Sequence, residues 1–148
     1  MANVFEIANR ANDKAGLLEY RLGDPHRKQL LIRYSGIDDN HQPTSTDLLI
    51  SPPPKITTPS RRLIDLVVGN EESGVVVSVS DKVAEVSRSY PYETFISSDN
   101  KRIRCVIEPE LTDGTFTATR ETDWWRVVFV DDSSECHWKV ILRKEKDR

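Results

Sequence analysis

The chain has 148 residues, 37% of them hydrophobic and 30% charged, with 21 Lys plus Arg against 24 Asp plus Glu and a net charge of -3. That length suits one domain and buries about 68 to 70% of the unfolded surface, so a core can form without disulfide or metal staples. The basic residues are spread out where a polyphosphate partner needs them concentrated, which disfavours nucleic acid, and no run reaches the roughly 18 apolar residues of a membrane span.

The opening MANVFEIANRANDK lacks the continuous apolar core of a secretory signal, so a soluble intracellular protein is the expectation. The same stretch has a helical pattern. Val4, Ile7, Ala8 and Ala11 share a face, Asn3 suits the N-cap with Glu6 placed to answer it, and Gly16 stands where helices commonly end. The organisation expected is therefore a single domain, 1–148, with a helix over 1–16, a β body over 17–143 and a tail over 144–148.

From Leu17 the apolar period falls to two. LLEYRL alternates Leu18, Tyr20 and Leu22 with Glu19 and Arg21, KQLLIRY alternates Leu30, Ile32 and Tyr34, and GVVVSVS sets Val75, Val77 and Val79 on one face. With TDLLIS, RLIDLVVG, KVAEVS, ETFIS, KRIRCVIEP, GTFTATR, WWRVVFV and HWKVILR, about eleven strands are expected. Turn clusters GDPHR, GIDDNHQP, GNEES, SSDN and TDG separate them. No second long helical pattern appears, which favours an antiparallel, all-β body over parallel crossovers.

SPPPKITTPSRR, Ser51 to Arg62, has four prolines that remove ladder donors and favour extended geometry. It is expected to be a long surface loop, with Pro53, Pro54 and Lys55 as candidate partner contacts.

LIDLVVGNEESGVVVSVS (63–80) laid on WWRVVFVDDSSECHWKVI (124–141) matches apolar to apolar around a polar centre, and LLEYRLGDPHRKQLLIRY (17–34) follows the same plan. In this reading Asp131 to Glu135 are turn chemistry, and Trp124, Val127, Phe129, Cys136, Trp138 and Val140 supply core or sheet-facing area. In strand count, ribbon length and repetition over roughly Leu17 to Arg143, the layout resembles a β-trefoil. The Gln-x-Trp signature of the lectin branch is replaced by Asp123-Trp124-Trp125 and His137-Trp138-Lys139. The resemblance implies a barrel closed by three hairpin repeats, in a fold used for carbohydrate binding, protease inhibition and signalling contacts. A β-sandwich or another antiparallel barrel is the alternative.

No motif asks for a cofactor. His26, His41 and His137 share no helix and no zinc spacing, and Asp38, Asp39 and Asn40 fit an Asx-type turn better than a calcium loop. Cys105 and Cys136 are expected as reduced, partly buried thiols. No Gly-x-Ser-x-Gly elbow or phosphate-cradling glycine loop occurs.

The remaining sites are aromatic. Tyr90 and Tyr92 flank Pro91 in SYPYET, and Trp125 stands beside Arg126 on the strand face opposite Trp124. The leading functional expectation is a non-catalytic module that binds a protein partner through Tyr90, Tyr92, Trp125, Arg126, Pro53, Pro54 and Lys55. The second is a lectin-like carbohydrate binder stacking sugars on Trp125, Tyr90 or Tyr92, with Asp123 or Asp132 as acceptors. The third is a small hydrolase or isomerase using His137 or His41 at a barrel mouth. The last is single-strand binding through Arg102 and Arg104, which the net charge opposes.

Overall fold

The computed structural model describes residues 4–61, 77, 80–98, 101–112, 115–117, 124–132 and 134–145. The chain opens with helix α1 (Val4–Arg21), which runs straight through Gly16 and through the stretch expected to be the first strand. Leu18, Tyr20 and Leu22 are left exposed. The inward face is polar and held by Asp13 and Glu19, so the alternation of LLEYRL was never a buried strand face. The glycine that ends the helix is Gly23, at φ 86. Its N–H donates to Tyr20 O at 3.1 Å and the Asp24 N–H to Glu19 O at 3.1 Å, the paired bonds of a Schellman stop that needs a left-handed residue.

Nine strands follow among the described residues: β1 (Leu30–Ile37), β2 (Pro43–Leu49), β3 (Lys55–Thr57), β4 (Lys82–Ser87), β5 (Lys101–Ile107), β6 (Glu110–Thr112), β7 (Thr115–Thr117), β8 (Trp124–Asp131) and β9 (His137–Lys144). Seven form one antiparallel sheet in the order β2-β1-β5-β8-β9-β4-β3, and β6 with β7 makes a separate ribbon. The body is mostly β, as expected. The first of the three expected hairpins is displaced by the helix, and most of the middle one, 63–76 and 78–79, lies outside the described residues along with RLIDLVVG and most of GVVVSVS.

The sheet is not closed, so neither a barrel nor the β-trefoil layout is established by it. One antiparallel bridge, Arg27 with Lys55, ties the lead-in of β1 to the edge strand β3. Lys28 N donates to Pro54 O at 3.1 Å and Ile56 N to His26 O at 2.8 Å beside it.

ETFIS, expected as a strand, is a 3-10 turn over Tyr92–Phe95. It starts where Thr94 N reaches back to Pro91 O at 3.1 Å, and it buries Phe95. The proline stretch is also corrected. Pro52, Pro53 and Pro54 are buried and Lys55–Thr57 joins the sheet, so 52–56 is an inward-packed edge, while Thr58, Ser60 and Arg61 are exposed as a loop would be; the Ser51–Pro52 bond is cis.

Alternation then assigns the faces. Leu30 and Ile32 of β1, Ala84 and Val86 of β4, Ile103 and Cys105 of β5, and Val140 and Leu142 of β9 point to one interior, with Ile50, Ile56 and Phe95. Each fully buried Leu, Ile or Phe contributes about 1.5 to 3 kcal/mol there. A register shift between Val127 and Phe129 sends Val127 and Val130 inward, while Val128 and Phe129 pack outward on Val77, Val83 and Ile141. Trp124 sits on the outer face with Leu31 and Val106, and Trp125 faces the interior. Cys136, expected as a partly buried thiol after the turn, is exposed in the turn before β9.

Candidate functional site

The candidate site lies where β4 ends and β9 begins, with Ser87 and His137 as direct cross-strand partners. After Ser87 the chain turns: Ser87 Oγ accepts from Ser89 N at 3.1 Å and Ser87 O from Tyr90 N at 3.3 Å. The next register pair, Val86 with Trp138, sets the Trp138 indole under this turn, and its Nε1–H donates to Tyr90 O at 2.8 Å. The Tyr90 hydroxyl accepts from Ser51 N at 2.8 Å and lies 3.3 Å from Ser51 O. The tyrosine loop and the proline stretch, 39 residues apart in sequence, are thereby joined.

Two side chains cover the indole. The Arg88 guanidinium lies 3.8 Å from the Trp138 ring centroid and the Tyr92 ring 5.6 Å from it, tilted by 49°. Arg88 is itself fixed, donating from Nη2 to Asp132 O at 2.7 Å and from Nε to Ser134 O at 3.1 Å, which ties the loop to the β8–β9 turn. Tyr92 remains 43% exposed.

Beside this cluster, between α1 and the sheet, lies a small cleft with room for about one water molecule, bordered by Asp13, Arg27, Pro52, Glu85, Ser87 and His137. Asp13 accepts from Ser87 Oγ at 2.5 Å and from Ser89 Oγ at 2.7 Å. Arg27 donates to Glu19 Oε2 at 3.0 Å and to Pro53 O at 2.9 Å, and Lys55 Nζ stands 3.7 Å from the same Glu19 oxygen. Burial holds the His137 imidazole below its ordinary pKa, with Arg27 and Lys55 acting in the same direction and Glu85 and Asp13 against it. The one hydroxyl proton of Ser87 goes to Asp13 and not to His137, so the nucleophile-to-base contact that acyl transfer needs is not formed. Among the described residues no group of three or more His, Cys, Asp or Glu is placed to hold a metal ion.

Of the residues singled out from sequence, Tyr90 is half-buried and structural, and Tyr92 is exposed beside it. Pro53 and Pro54 are buried and Lys55 is paired with Glu19. Trp125 packs against the interior, so its ring is not an outward platform, whereas Arg126 is exposed on the outer face. His41, at φ 60, and Asp38 form the expected Asx-type turn, with Asp38 Oδ1 accepting from Asn40 N at 2.9 Å and Gln42 N at 2.8 Å. Asp132 is exposed, and Asp123 lies outside the described residues.

Arg102 and Arg104 both pair with Glu145, and Arg104 also covers Trp124 at 4.2 Å. Trp138 packs against the interior as expected, and sequence reasoning missed Arg88, because only the β4–β9 register brings the two together at the tyrosine loop. Among the described residues no helix is long and apolar enough to cross a membrane. Comparison of the chain with protein-family models, with curated proteins and with solved structures gives no match, so geometry alone carries the functional reading.

Proposed function

We propose that the chain is a non-catalytic binding module that meets a protein partner on the surface made by Arg88, Tyr92 and Trp138. The observation that carries this is the clamped indole: Trp138 is held from behind by Tyr90 O and covered in front by Arg88 and the exposed Tyr92. Trp, Tyr and Arg are the residues that dominate binding energy at protein interfaces, and side chains ordered before the encounter lose less entropy on docking. The framework is read as a barrel-like body, which the Arg27–Lys55 bridge between the β1 lead-in and β3 supports.

Affinity capture from the native source tests the proposal, with the intact chain compared with Tyr92→Ala. Tyr92 is exposed, so the variant should melt with the intact chain while losing the captured protein by about tenfold or more, as expected for a hot-spot tyrosine. Undiminished capture by Tyr92→Ala would overturn the proposal. A sugar stacked on Tyr92 is the second reading, favoured by the exposed face of that ring. A glycan array decides it, since a glycan hit lost in Tyr92→Ala would replace the protein reading.

A further inference from the structure

Helix α1 is tied to the body along one side only. Asp13 bonds Ser87 and Ser89, and Gly16 stands against Arg27 and Pro52. Ile7, Ala8, Ala11, Ala15 and Leu18 fall on the opposite side and are all exposed. Leu22 joins them, because its N–H donates to Leu18 O at 2.9 Å and carries the helical spacing one residue past Arg21. The three large side chains, Ile7, Leu18 and Leu22, are 58%, 58% and 78% exposed. At a rise of about 1.5 Å per residue the six form one apolar row about 22 Å long within about 100° of the helix surface. Exposed apolar residues scattered singly are ordinary, whereas a continuous row turned away from the core marks an interaction site.

Shape and charge both describe what fits there. The row is low in the middle, at Ala8, Ala11 and Ala15, and high at its ends, at Ile7 and at Leu18 with Leu22, a saddle that lets a second helix axis approach to about 8 Å. Arg10, Lys14 and Arg21 fall within about 40° of one another along one border of the row. All three are exposed, and among the described residues none of them is in an ion pair. Glu6, the one acid on that side, lies in the first turn, further round the helix than Arg10. The other border holds Asn12 and Glu19, and Glu19 is already bonded to Arg27.

This one-sided border selects the occupant. In an antiparallel two-fold pair of α1 helices, Arg10, Lys14 and Arg21 would lie against their own copies, where like charges repel, and a parallel pair would offer them only Asn12 and the bonded Glu19. A bilayer gains little from a row half made of alanine, with no Trp or Phe anchor and cations on one border only. We infer that the outer face of α1 receives an amphipathic helix of a protein partner whose apolar stripe is bordered on one side by Asp and Glu. The partner's large side chains fill the alanine saddle, and its acids lie against Arg10, Lys14 and Arg21. The face shares no residue with the Arg88–Tyr92–Trp138 surface, so this inference goes beyond the proposed function and fails separately from it.

The test is a display selection against the intact chain, using helical peptides of the length of α1 whose stripe positions vary among Ala, Val, Ile and Leu and whose border positions vary among Glu, Lys and Gln. Enriched peptides should carry Glu along one border. In fluorescence polarisation they should bind Leu18→Gln about tenfold more weakly than the parent chain, the loss expected for one leucine buried on docking. Gln is a good helix former and the position is exposed, so circular dichroism of this variant should match the parent. The double variant Arg10→Glu, Lys14→Glu reads the charge independently and should turn the selection towards Lys borders, while Tyr92→Ala should leave it unchanged. No enrichment, enrichment without a border preference, or equal binding to Leu18→Gln overturns the inference. Co-sedimentation with phosphatidylserine vesicles that Leu18→Gln abolishes would make the face a membrane surface, and a dimer in analytical ultracentrifugation that Leu18→Gln dissociates would make it a self-contact. Either result overturns it as well.

Discussion

Gly16 of α1 lies directly against the guanidinium of Arg27: a Cβ at Gly16 would stand 2.8 Å from Arg27 Nη1 and 3.0 Å from Pro52 Cγ. The arginine cannot simply swing away, because it is bonded to Glu19 and to Pro53 O and its side chain is only 8% exposed. Glycine is kept in mid-helix here for close approach. Gly16→Ala gains up to about 1 kcal/mol of helix propensity, and the overpacking against two fixed groups costs about 1 to 3 kcal/mol. The expected result is a net loss of about 1 kcal/mol in urea unfolding. A stabilised variant would show that α1 is not held against Arg27 as described.

The Tyr90 hydroxyl is the joint between the tyrosine loop and the cis Ser51–Pro52 bend. Tyr90→Phe removes the acceptor of the Ser51 N–H and is expected to cost about 1 kcal/mol. Amide exchange reports the change locally: the Ser51 amide should lose protection while amides within β5 keep theirs. Unchanged protection at Ser51 would mean that the hydroxyl does not hold the bend.

The two thiols should react very differently. Cys105 is fully buried in the interior, and burial pushes its thiol up to about 12, with Glu145 adding in the same direction. Cys136 is exposed and free. Iodoacetamide labelling of the native chain, read by mass spectrometry, should modify Cys136 alone, and Cys105 should follow only after unfolding. Native labelling of Cys105 would contradict its place in the core.

His137 predicts a pH dependence. Its folded pKa lies below the ordinary 6.5, so below that pH the unfolded chain binds the proton more readily and stability falls. The loss begins as pH drops through about 6.5 and levels off below the folded pKa, and the contribution is absent above 6.5. The groups facing the ring are Glu85 and Asp13 on the acidic side and Arg27 and Lys55 on the basic side. Thermal melts from about pH 7.5 to about pH 5 should therefore show a smaller drop in His137→Gln than in the parent chain. Identical slopes would assign the dependence to other groups.

Period-two alternation in KQLLIRY, KVAEVS, KRIRCVIEP, WWRVVFV and HWKVILR is a local signal, because successive side chains of a strand must point to opposite faces. Those stretches became β1, β4, β5, β8 and β9, and the Asp24 and Asp38 turns were equally legible from side chains that bond their own backbone. LLEYRL was not legible, since a short apolar alternation also fits a helix whose anchoring is polar, through Asp13 and Glu19 to partners far along the chain.

The burial of the prolines, the Tyr90–Ser51 joint and the Arg88–Trp138–Tyr92 cluster all depend on which strands pair and in what register. A shift of one residue in β9 would turn Trp138 to the other face and take Arg143 off the outer one. Pairing of that kind is settled by burial summed over the whole sheet and by closing long loops, so no window of neighbouring residues records it.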